Sequence, residues 1–540
     1  MQTHVEIFLK LSEQNARMNA EIAHLKGRLD TAVNTMALQR ETIQGLRDEI
    51  AILKGQKPKP KIPPGKLGKG DTGGKGDSDP PGRGKSPRHK KTGLPIHSKV
   101  RITPESMPDG AIFKGLQKYT VQDITLRSHN TVYELERWRL PDGTYITGKL
   151  PHHVQGHYGW QLVSYVLHQY YGCRVTEPLL LSQLKEIGIL ISAGQLSNIL
   201  TQNKNAYHQE KNALLTAGIA ATGQIQADDT GARHRGQNGY STVIENEYFT
   251  YIVSTDSKSR MNFLEILHGE TARYLVNRDT LDYIESIKPS SIWLGGYLLA
   301  ARDRSMSQAE WDHFLFGIDA IKSERDMKLA TEAALFASLI AKGIPRDLGV
   351  HGDDAGQFNV FVRSLCWVHE ERHYRKLIPY DEAVRQAIEH VRGEIWELYK
   401  GLQQYKIAPC EELRTRLDLA FDTLFLKKET ISETLNHQLK KTHAKKAELL
   451  RVLERPTTPI HNNRTETDAR EMVVKRKISG GTRSAEGQKA RDTFISLKKT
   501  CGKLGINFMK FLQDRVGKFS IISPLAEVIA CRANLQPQGP

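Results

Sequence analysis

The stretch GQIQADDTGAR, residues 223–233, decides how this chain is read. Its first half alternates apolar and polar side chains as a half-buried strand does, and two aspartates, Asp228 and Asp229, stand where that strand is expected to end. A second pair, Asp353-Asp354 in LGVHGDDAGQF, follows another short apolar run, Asp347 to Gly352. A third acid, Glu466 in PIHNNRTETDAREMVVKRK, opens a helix rich in Arg and Lys. Three carboxylates, each at the edge of an element, are what two divalent ions need. Two Mg²⁺ (or Mn²⁺) ions about 3.5–4 Å apart stabilise both the attacking and the leaving oxygen of a phosphodiester. Mg²⁺ prefers hard oxygen ligands and keeps several waters, so two Asp and one Glu suffice. Each acid also has a plain structural reading. Asp228-Asp229-Thr230-Gly231 is compatible with turn chemistry. Asp354 has the spacing to cap a helix starting at Ala355, which leaves Asp353 as the ligand, and Asn463 and Glu466 have capping-box spacing.

Outward from these acids, Tyr240–Glu245 and Tyr248–Ser254 predict two further strands, with Asn238-Gly239 and Asn246-Glu247 as turns, hence a three-stranded meander. From about His373 to Leu453 the pattern is helical, with Ile431, Leu435 and Leu439 one turn apart. On the N-terminal side, 176–202 reads as two helices around Gly188, with Ser192 and Gln195 at capping spacing, and so resembles a helix-turn-helix. Gln195 and Asn198 are its candidate DNA-facing side chains. A structural helical hairpin is the alternative. Residues 93–172 suggest a strand-rich unit with a hairpin formed by TVYELERWRL and PDGTY.

The first 54 residues carry a heptad seam, with Phe8, Ile22, Leu29, Met36, Ile43 and Ile50 at one position and Leu11, Met18, Leu25, Leu46 and Leu53 at the other. This predicts a coiled coil. Asn15 within the seam favours a parallel, in-register homodimer, against the alternative of a single helix docked on its own domain. Residues 55–92 hold 11 Lys or Arg against 3 Asp in a Pro/Gly-rich run that forms no core. They read as a basic tether or a merely solvated linker.

At 540 residues the chain implies three or four units. A net charge of +16 favours a polyanionic partner, nucleic acid before an acidic membrane. The longest apolar runs, such as Ala333 to Ala341, are far short of the roughly 20 residues that cross a bilayer. Met1 to Lys10 lacks a signal-peptide layout, so a cytoplasmic, nucleoid-associated protein is expected. Five scattered cysteines, none at Cys-x-x-Cys spacing, give no disulfide framework.

ADDTGARHRGQNGY, DDAGQF followed by LCWVHEERHYRKL, and HNNRTETDAREMVVKRKISGGTRSAEG resemble the signature blocks of insertion sequence 66 family transposases, over roughly residues 95–515. The resemblance implies an α/β fold with an RNase H-like core, 216–365 and 456–516, interrupted by a helical insertion at 366–455. Ahead of the core it implies a DNA-binding region, 93–215, and after it a tail, 517–540. It implies Asp228, Asp353 and Glu466 as catalytic metal ligands, water-driven strand cleavage, and attack of the freed 3′-hydroxyl on target DNA. Lys475, Arg476 and Lys477 become candidate phosphate contacts; solvated charge is the alternative. Small accessory proteins accompany many members.

Cys366 and His369 match the family's Cys-x-x-His element, and His373 or His351 would be needed to approach the four ligands of a structural zinc. A buried thiol beside a packed histidine is the competing reading. The chain departs from the family in having no cysteine before Cys173 and in carrying His461 where many members have Asp. The expected function is therefore a DNA transposase acting on the inverted-repeat ends of its own element. A catalytically silent DNA-binding scaffold and a nuclease that cuts without joining are the alternatives.

Overall fold

A computed structural model describes residues 95–535, apart from 107–108, 155, 270, 288, 290, 319–320, 322 and 429–430. The heptad seam and the basic tether lie outside the described residues. The chain divides into two units, Met1–Lys118 and Tyr119–Pro540. In the first, residues 95–106 and 109–118 have no helix or strand, and Arg101 lies over the Phe113 ring.

The second unit begins with a small antiparallel hairpin, β1 (Arg137–Arg139) and β2 (Tyr145–Thr147), closed at Pro141-Asp142-Gly143. Asp142 accepts from the N–H and hydroxyl of Thr144, which fixes that turn. The expected hairpin is there, but the strand-rich unit is not. β1 and β2 are three residues each, and the described remainder of 119–159 has no regular element. Large apolar side chains such as Val121, Ile124 and Trp138 are left exposed along it, and an alternating pattern without a partner sheet makes no strand.

The helical N-terminal segment consists of α1 (Trp160–Leu167), α2 (Glu177–Glu186), α3 (Ala193–Thr201) and α4 (Asn205–Thr222). The turn between α2 and α3 uses Gly188 at φ 82°, and Ser192 Oγ caps α3 by accepting from Gln195 N–H at 3.1 Å. The predicted helical pair therefore forms, with Gln195 and Asn198 on its exposed side.

The central sheet has five strands: β3 (Gln224–His234), β4 (Gln237–Glu245), β5 (Thr250–Thr255), β8 (Gly349–Gly352) and β9 (Val362–Leu365). Their order is β5-β4-β3-β8-β9, antiparallel on the β5 side and parallel from β3 to β9. The meander is as expected, but β3 continues past the acids, so Asp228 and Asp229 lie within the strand rather than in a turn. Its hairpin turns at Arg235-Gly236, φ 48° and 81°, the two left-handed residues a two-residue loop demands. Asn238-Gly239 falls inside β4 instead. What holds Arg235 in that conformation is distant in sequence: its N–H donates to Thr482 O at 2.8 Å, and Thr482 N–H donates to Arg233 O at 3.0 Å.

Between β5 and β8 run α5 (Arg260–His268), a two-residue ladder of β6 (Tyr274–Leu275) with β7 (Ser305–Met306), α6 (Arg278–Ile287), α7 (Leu294–Leu298), α8 (Gln308–Phe316) and α9 (Glu324–Ala341). The helix expected from Ala355 is only a 3₁₀ turn, Gly356–Phe358, leading into β9. A four-residue strand carries too little periodicity to be seen in sequence.

After β9 come α10 (Trp367–Arg375), α11 (Glu382–Ile407), α12 (Glu411–Phe425), α13 (Glu433–His443), α14 (Lys446–Leu449) and α15 (Arg451–Glu454). They bury an apolar cluster of their own around Trp367, Leu402, Phe421 and Leu435. The chain then returns to the sheet as α16 (Asn463–Ser479) and α17 (Ala485–Lys503), and ends in α18 (Phe508–Gly517) and α19 (Leu525–Leu535). Strand alternation divides the sheet's two faces. Ile225, Ala227 and Ile244 enter the main core with α4 and α9, whereas Val243 and Ile252 pack with Ala469, Met472 and Ile495 of α16 and α17. Each of these Val, Ile and Met side chains, fully buried, contributes about 1.5–3 kcal/mol.

Candidate active site

The site grows from the register of β3 and β8. Gln224 pairs with Gly349 and Gln226 with His351, in parallel. Two residues further on, the same register sets Asp228 beside Asp353, just past the end of β8. Asp228 shares its face with Gln226, which accepts from Thr465 Oγ1 of α16 at 3.4 Å, and with its cross-strand partner Val243, which packs on α16. That is the side on which Glu466, in the first turn of α16, sits.

Each aspartate pair is divided by its partners. Asp229 points to the opposite face, where it accepts from Thr242 Oγ1 at 2.5 Å and from Gln357 Nε2 at 2.7 Å. Asp354 is bound to Arg363 at 2.5 Å and Lys445 at 2.7 Å, which hold its carboxyl below the usual range against the opposing effect of burial. Asp228 accepts from Asp229 N–H at 2.8 Å and Asp353 from Ala355 N–H at 3.1 Å; no other hydrogen bond to either carboxylate is found among the described residues. So Asp354 does not cap a following helix. Asp353 makes that turn contact.

Burial first, then the negative charge of Asp353, followed by lesser effects of Asp229 and Glu466, pushes the Asp228 carboxyl up to about 7. An acid so opposed in losing its proton lies in a pocket of like charge that a cation relieves. The donors there are all carboxylate oxygens, the set that suits Mg²⁺ or Mn²⁺, so the residues fit such ions. Among the described residues, no group of three or more His, Cys, Asp or Glu side chains stands close enough together to hold a metal ion as it is.

Glu466 is reached through the start of α16. Asn462, the N-cap, makes no side-chain cap bond, so the expected Asn463–Glu466 capping box does not form. Asn462 Nδ2 reaches toward Ala227 O at 3.5 Å, and its N–H donates to Cys366 Sγ at 3.2 Å. Cys366 is thus a buried thiol, its pKa raised by burial, that anchors the turn before Glu466. His351 is enclosed beside Ser364 at 3.0 Å, burial pulling it down to about 3, and His373 is exposed. Neither completes a zinc site with Cys366 and His369 here.

One group escaped the sequence reading. Arg372 of α10 lies 3.2 Å from Glu466 Oε1 and 3.0 Å from His369 Nε2. A guanidinium only donates, so His369 Nε2 accepts, and its 3.5 Å approach to Glu466 is not an ion pair. Burial, then Arg372, keeps this imidazole below its ordinary pKa. The only available signal was that Arg372 lies one helical turn after His369.

Of the predicted phosphate contacts, Lys477 is exposed and Arg476 half-buried, its guanidinium donating to Gly231 O. Lys475 is different. It is buried, with Nζ 3.7 Å from the Tyr170 ring centre, and burial brings it down to about 8. No phosphate reaches it there, which corrects the expectation; an interior position on α16 is indistinguishable by composition from an exposed one.

No described helix is long and apolar enough to cross a membrane. No solved structure matches the chain. The chain is 38% identical over 323 residues to the uncharacterized protein y4jO of Sinorhizobium fredii (strain NBRC 101917 / NGR234), covering 59% of this chain and all of that protein. The family model described as "Transposase IS66 family" matches residues 355–490, from the turn after Asp354 through α16, a span that takes in Arg372 and Glu466. On these two matches, the chain belongs to the IS66 family of transposases.

Proposed function

We propose that this transposase cuts and joins DNA at the ends of its element, with Asp228, Asp353 and Glu466 as the ligands of two Mg²⁺ or Mn²⁺ ions in an RNase H-like core. The observation that carries the reading is the shared register of Asp228 and Asp353, with the Asp228 carboxyl pushed up to about 7 on the face where α16 presents Glu466. When bound, the ions supply a polarised nucleophile and charge stabilisation on the reacting phosphate. The chain's own side chains do the rest. Asp228, within β3, and Asp353, just past the end of β8, would hold the ions from neighbouring segments whose register is set by the backbone pairing of Gln226 with His351. Glu466 closes from a helix whose first turn is tied to Ala227 O and Cys366. Gln357 and Thr242 hold Asp229 away from the reacting side.

Double-stranded DNA, as element ends and as target, would lie against the outer sides of α3 and α16, at the exposed Gln195, Asn198 and Lys477 and beside the half-buried Arg476. The α10–α15 helices form the insertion of the catalytic core. The test is incubation of purified protein with Mg²⁺ and DNA carrying the element's inverted repeats. Nicking at the ends followed by joining to a second duplex supports the proposal. Cutting that persists in Asp228→Ala or Glu466→Ala rejects the site; cutting without joining leaves only a nuclease.

A further inference from the structure

Arg372 sits where a cation at the third acid would have to come. Its Nη1 stands 3.2 Å from Glu466 Oε1, and the same nitrogen is held 3.0 Å from His369 Nε2. Both residues come from α10, which lies outside the sheet and opens the separate helical cluster. Glu466 is mostly covered, its side chain 19% exposed, whereas Arg372 is 40% exposed and open to an approaching anion. A second arginine near this carboxylate, Arg470, is 3.8 Å away and 72% exposed, too loosely placed to do the same. The acids within β3 and just past β8 have no comparable cation: Asp228 and Asp353 accept only backbone N–H groups among the described residues.

We infer that Arg372 is a positioning residue that occupies Glu466 in the free protein as a place-holding cation, and that a DNA phosphate draws the guanidinium away and so opens Glu466 to the metal. The inference rests on the reading of Glu466 as a metal ligand. It makes full metal loading dependent on DNA, so the third carboxylate is not committed until a scissile strand is present. The electrostatics run in one direction. A guanidinium on Glu466 both neutralises the carboxylate and repels a divalent ion. Phosphate is a matched bidentate acceptor for the same fork. Because coupling between two ligands is reciprocal, DNA that tightens metal binding must itself bind more tightly when metal is present.

The experiment is titration of the full-length protein with Mn²⁺, the free ion read by electron paramagnetic resonance, with and without duplex DNA carrying the element's ends. Arg372→Gln is expected to bind Mn²⁺ about tenfold more tightly than wild type without DNA, since a unit charge a few ångströms away is removed. Arg372→Lys should stay near wild type, and Arg470→Gln should move the affinity far less. Adding the duplex should tighten wild-type binding toward that of Arg372→Gln and change the variant little. Equal affinities for wild type and Arg372→Gln overturn the inference, as does an equal shift in Arg470→Gln or a wild-type affinity that the duplex does not alter. Glu466→Gln separates the two levels of the argument. Titrated with the duplex present, a Glu466→Gln that loses Mn²⁺ affinity while Arg372→Gln leaves binding unchanged without DNA means that only the place-holder fails; a Glu466→Gln that binds as wild type does with the duplex present means that the metal-site reading fails first.

Discussion

Asp228 within β3 and Asp353 just past the end of the neighbouring strand β8 are brought together, because the parallel pairing of Gln226 with His351 sets the register two residues earlier. Residues 125 apart in the chain thereby meet, and burial first, then the charge of Asp353, pushes the Asp228 carboxyl up to about 7.

That raised pKa has a stability consequence. A carboxyl with a higher pKa in the folded than in the unfolded chain binds the proton more tightly when folded. The contribution of Asp228 to stability is therefore greatest below about pH 4, falls as pH rises from about 4 to 7, and is level above. The shift from 3.8 to about 7 corresponds to at most about 4 kcal/mol. Asp228→Asn should raise the melting temperature at pH 8 by on the order of 5 °C, with little gain at pH 4. Scanning calorimetry at both values checks this, and an equal gain at both would contradict it. Saturating Mg²⁺ should stabilise wild type more than the variant.

The two aspartate pairs should divide by function. Asp353→Asn should abolish cutting without lowering the melting temperature, since it removes a charge that opposes the ionised Asp228. Asp354→Asn, which weakens the contacts to Arg363 and Lys445, should lower stability by about 1–3 kcal/mol and leave a measurable rate. Denaturation and nicking assays on both variants decide; the reverse pattern would mean the ligand has been placed on the wrong residue.

Along α17, Asp492, Ser496 and Thr500 recur every turn and accept from the N–H groups of Ser254, Ile252 and Thr250 at 2.8, 2.9 and 3.1 Å. They satisfy the outer side of β5, the edge of the sheet, which otherwise offers unpaired donors to another chain. Ser496→Ala with Thr500→Ala should cost about 1–3 kcal/mol per lost acceptor and bring aggregation on warming, readable by light scattering. A soluble double variant with an unchanged melting point would refute the role.

The two lysines of α16 should behave oppositely. Lys477→Gln should flatten the dependence of DNA affinity on salt by about one unit of slope if it meets a phosphate. Lys475→Ala, which removes the contact with the Tyr170 ring, should lower the melting temperature and leave the salt slope alone. Binding isotherms across a salt series distinguish them.

Much of this arrangement was legible in order alone. Alternation marked the strands around residues 223–254, cap spacing marked Ser192, and the quoted blocks marked the family. These are local signals, carried by neighbours in the chain. Strand β9 and the Arg235-Gly236 turn were missed because one is too short for periodicity and the other is held by Thr482, 247 residues away.

The sequence by itself determined the meander around the first acids, the longer helices and which acids are available, since period, cap and charge are properties of contiguous residues. Only the tertiary structure decided which acid of each pair faces α16, that Lys475 is interior, and that Arg372 rests on Glu466. Those facts depend on strand register and on helix packing across hundreds of residues, where burial and neighbouring charge, rather than residue type, set what a side chain does.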